Sequence, residues 1–378
     1  MPEDISCHNT PKKAPGDPSC DDMRDGGDIP TLEYPLGLVI SYIHASLYET
    51  YDEYDRQAMA KQKYHRLFSA LAVFSGTLAI TLSILIVFLR AYGDPADLLN
   101  NPALTVFEKG AFLTALLSVV IALGNRLLRD WLTKRYMAEQ CRTLKFRALI
   151  HPYLSFSSDD AWTAQFSRWK KRFDDEVALL KTKESAALDE ILVADRINTP
   201  PHDTSGNPPN IPFLVMLFDY YRQKRITTQI GYFSSRAHYF RTANKNTERI
   251  PQYCFIGGVV CAGVQIGIEL FAPEVQVFMP ETTLGRVQAV TLLLTLILPG
   301  IGVAFRTWRS STEIARNSSL FSAKCRALKQ FDTRLAEERA HEIVSWEKIL
   351  KIMWECENFF ENENREWLRI MHDAEWYL

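Results

Sequence analysis

Charge is absent from four stretches of this chain and dense between them. Leu67–Leu89, LFSALAVFSGTLAITLSILIVFL, holds 23 residues without a charge. At ~1.5 Å per residue a helix of that length reaches ~35 Å, enough to cross a bilayer core of ~30 Å. Gly110–Asn125 is a shorter run of 16 residues bounded by Lys109 and Arg126. It crosses if those two side chains snorkel to the headgroups. Ile250–Ile268 and Val287–Phe305 hold 19 uncharged residues each. Four such runs with Arg or Lys at their boundaries predict an all-α integral membrane protein with four transmembrane helices.

Polar positions carry a second signal. Trp162, Phe166, Trp169, Phe173, Val177 and Leu180 recur at steps of three and four, which is one apolar stripe on a helix. Asp159 or Asp160 is placed to cap it. Arg168, Lys170, Lys171, Asp174 and Asp175 occupy the opposite face. Such a helix packs on neighbouring helices or lies on a membrane surface; packing is the favoured reading. The prolines of NTPPHDTSGNPPNIP, Asn198–Pro212, mark a loop. Trp346, Ile349, Met353 and Trp354 give the C-terminal region a buried side. The acidic ECENFFENENREW that follows makes it a helical cap or a partner-docking surface.

The two pairs of runs echo each other. YDRQA, Tyr54–Ala58, precedes the first, and YFRTA, Tyr239–Ala243, precedes the third. Arg129-x-Trp131 follows the second and Arg306-x-Trp308 the fourth, and further on CRTL at Cys141 is matched by CRAL at Cys325. A phrase repeated at matching places means a unit written twice. The predicted organisation is therefore a disordered lead-in (1–35), a first two-span unit (36–150), a cytosolic amphipathic helix with its Pro-rich loop (151–212), a second two-span unit (213–331) and a C-terminal cytosolic helical segment (332–378). The four spans form two tandem hairpins with long cytosolic helices.

Lysine and arginine set the orientation. The linkers Arg90–Lys109 and Glu269–Arg286 carry basic residues only at their edges, whereas Arg126, Arg129, Lys134, Arg135, Arg142, Lys145 and Arg147 follow the second run. Arg306, Arg309, Arg316, Lys324 and Arg326 follow the fourth. Both linkers are expected to face out and both termini the cytosol of a multi-pass inner-membrane protein.

Composition narrows the function. A net charge of −2 argues against a nucleic-acid partner held by bulk electrostatics. Seven scattered cysteines are neither a disulfide framework nor a zinc site. The acidic N-terminal stretch has no basic segment leading into an apolar one, so it is no signal peptide. No HExxH, P-loop or GxSxG occurs, and no enzyme and no cofactor are expected. No charge was found inside the four runs, which disfavours a secondary transporter.

Small and polar residues stripe the spans. Gly263 and Gly267 form a GxxxG pair in the third. Thr114, Ser118 and Asn125 share a face of the second, and Gln288, Thr291 and Thr295 a face of the fourth. Such stripes let helices pack closely in lipid, or they line a water path in an oligomer; both readings stay open, and these six are the candidate pore-lining residues. Arg129, Trp131, Arg306 and Trp308 read as membrane-interface anchors. Tyr54, Arg56, Tyr239 and Arg241 read as packing residues of the repeated phrase.

QIGYFSSRAHYFRTANKNTERI, the two-span pair after it and FRTWRSSTEIARNSSLFSAKCRAL resemble the SLATT superfamily, the SMODS- and SLOG-associating two-transmembrane effector domains. YDRQAMAKQKYHRL and RDWLTKRYMAEQCRTLKFRAL look similar, so the resemblance covers most of Leu36–Phe331. Two units in one chain depart from the one-hairpin form. The resemblance implies an oligomeric, pore-forming or membrane-permeabilising effector in a bacterial antiphage conflict system. Its partners would be the lipid bilayer, further copies of itself, and a cytosolic nucleotide-signalling protein or that protein's small-molecule product. A regulated ion channel with a housekeeping role and a non-conducting membrane scaffold are the alternative expectations.

Overall fold

The computed structural model describes residue 23 and residues 34–92, 102–124, 127–156, 161–183, 209–271, 281–311 and 314–374. Most of the expected lead-in, linker residues 93–101 and 272–280, Asn125, Asp159, Asp160 and most of the Pro-rich loop lie outside the described residues.

Every regular element among the described residues is helical. In chain order they are α1 (Leu36–Tyr92), α2 (Pro102–Gly124), α3 (Leu127–Leu149), α4 (Pro152–Ser155), α5 (Trp162–Lys183), α6 (Ile211–Tyr221), a π-helical turn (Arg222–Thr227), α7 (Thr228–Leu270), α8 (Glu281–Ser311), α9 (Ile314–Ala340) and α10 (Trp346–Ala374). Four stretches are long and apolar enough to cross a membrane. They lie in Leu36–Phe88, Ala103–Ile121, Ile211–Leu270 and Thr283–Arg309. Among the described residues the protein is thus all-helical, with four candidate membrane spans.

Two compact units form. One collects Met1–Gln62, Leu128–Ala237 and Ser319–Leu378; the other collects Lys63–Leu127 and His238–Ser318. Packing therefore cuts across the order of the sequence repeat, and the boundary expected between 331 and 332 falls inside the unbroken α9.

The first unit is built on aromatic packing. The expected α5 stripe is its spine: Trp162, Phe166, Trp169 and Phe173 stack in succession at centroid spacings of 6.1, 5.5 and 5.4 Å. Tyr42 of α1 sits edge-on to Phe166, Trp169 and Phe173, and its hydroxyl bonds Asp174 Oδ1 at 2.6 Å. Trp169 Nε1 donates to the Ala148 carbonyl at 2.8 Å, so the buried indole keeps its polar end paired. This settles α5 as a packed helix. Along α10, Trp346, Ile349, Met353, Cys356, Phe360, Leu368 and Met371 all turn inward, making the C-terminal helix part of the core.

Charge is organised at the same interfaces. On α3, Arg135 reaches Asp55 of α1 at 3.1 Å, and Arg142 bonds Tyr51 and Glu139. Arg147 reaches Glu361 of α10 at 2.6 Å and lies over the Trp354 ring. Much of the basic excess after the second span is thereby spent inside the fold.

His151 caps α4, accepting from the Tyr153 N–H at 3.3 Å through Nδ1. Its Nε2 is buried without a hydrogen-bond partner. Burial, assisted by Arg172, holds the imidazole down to about 4. An unfolded histidine takes its proton near 6.5, so between those values the unfolded chain binds a proton that the folded chain refuses. Stability accordingly falls as pH drops from about 6.5 toward 4, by ~3 kcal/mol in full. His151→Asn keeps a capping acceptor and should flatten that acid loss, as measured by thermal melts of the detergent-solubilised protein between pH 7 and 4.5; an unaltered pH dependence would assign the loss to other groups. Trp169→Ala should cost ~3–5 kcal/mol at any pH, read as a fall in the same melting midpoint.

Candidate functional site

The second unit holds the spans, and its contacts decide what their polar residues can do. α1 and α2 approach closely where a Cβ added to Gly76 would lie 3.8 Å from Ala115 Cβ. α7 and α8 approach more tightly still. A Cβ on Gly257 would meet Leu298 Cδ1 at 3.1 Å, one on Gly258 would meet Pro299 Cγ at 3.3 Å, and one on Gly302 would meet Cys254 Cβ at 3.3 Å. Close approach favours glycine here, because an added Cβ would force Leu298, Pro299 or Cys254 to give way by a few tenths of an ångström. Gly263 and Gly267, the expected GxxxG contact, have nothing within 4 Å of an added Cβ. They lie on the other side of α7 from the residues that touch α8.

The six candidate pore-lining residues divide accordingly. Thr114 is exposed and Ser118 is buried at 3 % exposure. Asn125 lies outside the described residues. Gln288, Thr291 and Thr295 are half-buried on the face of α8 that also carries Leu298 and Gly302, the side that meets α7. The four hydroxyls bond their own helices: Thr114 to the Gly110 carbonyl at 2.8 Å, Ser118 to Thr114 at 2.7 Å, Thr291 to Val287 at 3.0 Å and Thr295 to Thr291 at 2.8 Å. A hydroxyl so bonded needs no water. The pairs share one spacing: Lys109 and Arg286, Thr114 and Thr291, Ser118 and Thr295, Arg129 and Arg306, and Trp131 and Trp308 are each 177 residues apart.

α2 begins at Pro102, eight residues before the uncharged run. Glu108 and Lys109 consequently lie within the apolar helix Ala103–Ile121, which corrects the expectation that no charge lies inside a span. Val106 and Phe107 before the pair, and Phe112 and Leu113 after it, are all more than half exposed. Ser83 Oγ donates to Glu108 Oε1, so the carboxylate has a partner on α1.

The anchor and phrase residues are placed as follows. Trp131 is buried, edge-on to Trp367 at 5.7 Å, and Arg129 is half-buried. Trp308 lies 6.1 Å from Phe74 and 6.5 Å from Phe305, while Arg306 is exposed. Tyr54 is buried beneath Lys134, whose Nζ lies 5.1 Å from the ring. Arg56 and Arg241 are exposed, and so is Tyr239 at 57 %, although its ring meets Phe240 edge-on at 5.2 Å. Residues two apart on a helix point ~200° from each other, so Tyr54 and Arg56 cannot both face inward. In the second copy the inward position has moved by one residue, to Phe240, at 8 % exposure.

The first unit holds a cluster the sequence reading did not single out. Arg225 and Glu357 are buried at 2 % and 0 % side-chain exposure. The Arg225 Nε donates to Glu357 Oε1 at 2.9 Å and its Nη2 to Oε2 at 2.8 Å. The guanidinium lies 4.7 Å from the Phe146 ring centre and 4.0 Å from that of Phe360. The Tyr221 hydroxyl donates to Glu357 Oε1 at 2.8 Å, and burial first, then Cys356 and Glu357, drive that phenol well above its ordinary range. Burial likewise pushes the Cys141 and Cys356 thiols up to about 12, so both stay protonated at neutral pH and neither is a nucleophile. The signal for this cluster is a step in apolar spacing. Phe213, Leu217 and Tyr221 are four apart, but the next buried apolar residue of the row, Ile226, is five further on.

Comparison with family models, with curated proteins and with solved structures finds no match.

The glycine contacts make a sharp prediction. Gly258→Leu and Gly302→Leu should each drive α7 and α8 apart and lower the melting midpoint of the solubilised protein by several degrees. Gly263→Leu and Gly267→Leu should leave the midpoint within a degree or two. Equal effects at all four positions would mean that the α7–α8 contact is not where the glycines place it.

Proposed function

We propose that the chain is an oligomeric inner-membrane effector that permeabilises the membrane in a bacterial antiphage conflict system. In this reading the four spans form two tandem hairpins with both termini in the cytosol. The first unit lies on the cytosolic side, and a ligand or partner acting there opens the membrane path. A nucleotide-signalling protein or its product is the proposed trigger, on the strength of the SLATT resemblance alone.

One observation carries the reading. α1 is a single helix of 57 residues, and Ile211–Leu270 is a single helical run of 60. Each begins among the buried aromatics of the first unit and ends as a candidate span. A helix transmits rotation and axial shift along its length through its hydrogen-bond ladder; the 211–270 run does so across a π-turn at Arg222–Thr227 and with Pro251 inside α7. A scaffold that only recruits a partner has no use for two such rods.

The conducting path proposed here runs past Gln288, Thr291 and Thr295 in an assembly of several chains, since four spans with ~20° crossings leave little room for water at their own centre. As the helices stand, that stripe faces α7. Opening therefore requires α7 to turn or withdraw.

The test has two arms. Purified protein in liposomes should release a small entrapped dye when the trigger is supplied, and cells carrying it should arrest only after phage challenge. Thr291→Val with Thr295→Val keeps shape and removes both hydroxyls, so it should reduce flux tenfold or more at unchanged assembly size. No flux under any trigger would leave the scaffold reading; flux without phage dependence would leave the housekeeping channel. For topology, a single cysteine at Asn100 in a cysteine-free background should react with an impermeant thiol reagent from outside, and one at Ser205 should not; the reverse would overturn the orientation.

A further inference from the structure

The π-helical turn Arg222–Thr227 interrupts an otherwise α-helical run that ends as the third candidate span. A π-turn carries one residue more than the α-turn it replaces and concentrates at functional positions. Its local cause is visible in what is buried. Tyr221 and Ile226 are both fully buried although they are five apart; in an α-helix they would point ~140° away from each other. The extra residue brings them to one side. It also brings Ile226, Phe233 and Ala237, buried beyond the turn, into line with Phe213, Leu217 and Tyr221 before it.

A turn of this kind differs from the α-turn by one residue of register. If it relaxes to α-helix, everything beyond Thr227 on the same helix screws by one residue, ~100° about the axis and ~1.5 Å along it. What holds the π form is Glu357 of α10. It grips Arg225 inside the turn with two bonds and Tyr221 at its edge with a third, while Phe146 and Phe360 cover the guanidinium. Every charged atom of the pair is out of water, so loss of one partner strands the other.

We infer that the π-turn Arg222–Thr227 is a register switch for the third span, clasped in its extra-residue state by Glu357 of the C-terminal helix. Release of α10 frees the turn to become α-helical and rotates α7. That takes Gly257, Gly258 and Cys254 off α8 and uncovers Gln288, Thr291 and Thr295. The inference rests on the permeabilisation reading for its consequence but not for its mechanism.

Deletion of the exposed Gln223 tests it in the full chain. It removes the extra residue, leaves Tyr221 and Ile226 four apart as an α-helix requires, and keeps both flanking faces in place. The folded-to-unfolded ratio should be unchanged or higher. Deletion of the exposed Gln330 in α9, which has no π-turn to absorb it, should lower that ratio ~100-fold or more. Glu357→Gln should speed amide hydrogen exchange across residues 222–237 by ~100-fold; if that variant does not accumulate, Tyr221→Phe should speed it about tenfold. In liposomes the Gln223 deletion should lose triggered release, and Glu357→Gln should release without trigger. Equal damage from the two deletions, or unaltered exchange at residues 222–237, or triggered release retained by the Gln223 deletion, overturns the switch. If the unmodified protein never conducts, the permeabilisation reading fails while the deletion pair and the exchange rates still decide the switch.

Discussion

Hydrocarbon offers no water to a backbone N–H, so a chain that crosses it must stay helical until it is out. The long helices here follow from that requirement carried further than necessary. α1 needs ~20 residues to cross and has 57. The surplus on each rod is where the aromatic core of the first unit assembles, around Tyr42, Tyr51 and Tyr54 on α1 and Phe213, Leu217 and Tyr221 before the π-turn. The same constraint governs side chains. The Thr and Ser hydroxyls of α2 and α8 bond their own carbonyls, and Glu108 takes a bond from Ser83. The hydroxyl bonds lie within their own helices, whereas the Glu108 bond ties α2 to α1.

The Arg225–Glu357 pair has a different role from ordinary stabilisation. Burying two charges costs several kcal/mol per ion before their attraction returns any of it, and apolar residues of the same volume often do as well. What a buried pair supplies is selectivity between arrangements, because few packings satisfy both ions at once. Here the satisfied arrangement is the one with a π-turn. An α-helical segment with the same side chains would have no such penalty to escape and no reason to hold the extra residue. The energetic asymmetry of the pair, of little net gain while whole and expensive to break from one side, favours the arrangement that satisfies both ions.

The features readable in the sequence are those fixed by local composition. Uncharged runs announced the spans, and the steps of three and four from Trp162 to Leu180 announced α5, because burial of a stripe leaves a period. The same period exposed Trp346, Ile349 and Met353 in α10. What failed to show was set by contacts between distant residues. Glu357 sits in an acidic stretch that reads as a helical cap or a partner-docking surface, and only the arrival of Arg225 from 132 residues away makes its burial tolerable. GxxxG at Gly263 looked like the close contact, yet Gly257 and Gly258, a less recognisable pair, meet α8 because Pro299 and Leu298 lie opposite. The uncharged run does not mark the start of α2, which begins at Pro102 and takes in Glu108 with its partner Ser83 on α1. The step of five between Tyr221 and Ile226 was legible in principle; it reads as noise unless a π-turn is admitted as a way to spend it.

The polar stripe of α8 illustrates why a face cannot be assigned to packing or to water by its composition. Gln288, Thr291 and Thr295 lie on the side that meets α7, which suits the packing reading, and the two threonine hydroxyls are already bonded, which removes their need for water. Neither fact opposes a conducting role in a second arrangement. A threonine bonded to its own i−4 carbonyl still has a lone pair to offer, and a carbonyl that accepts from it is held at a fixed angle. A stripe that packs in one state and is wetted in another must be polar enough to carry water and small enough to let a neighbouring helix sit against it. Threonine one turn from the residues that meet glycine, as Thr295 is from Leu298 and Pro299 opposite Gly257 and Gly258, meets both demands, whereas a larger polar residue would hold the helices apart and a purely apolar one would exclude water from any opening. At the α7–α8 contact the close approach at Gly257, Gly258 and Gly302 and the polar stripe of α8 share one face.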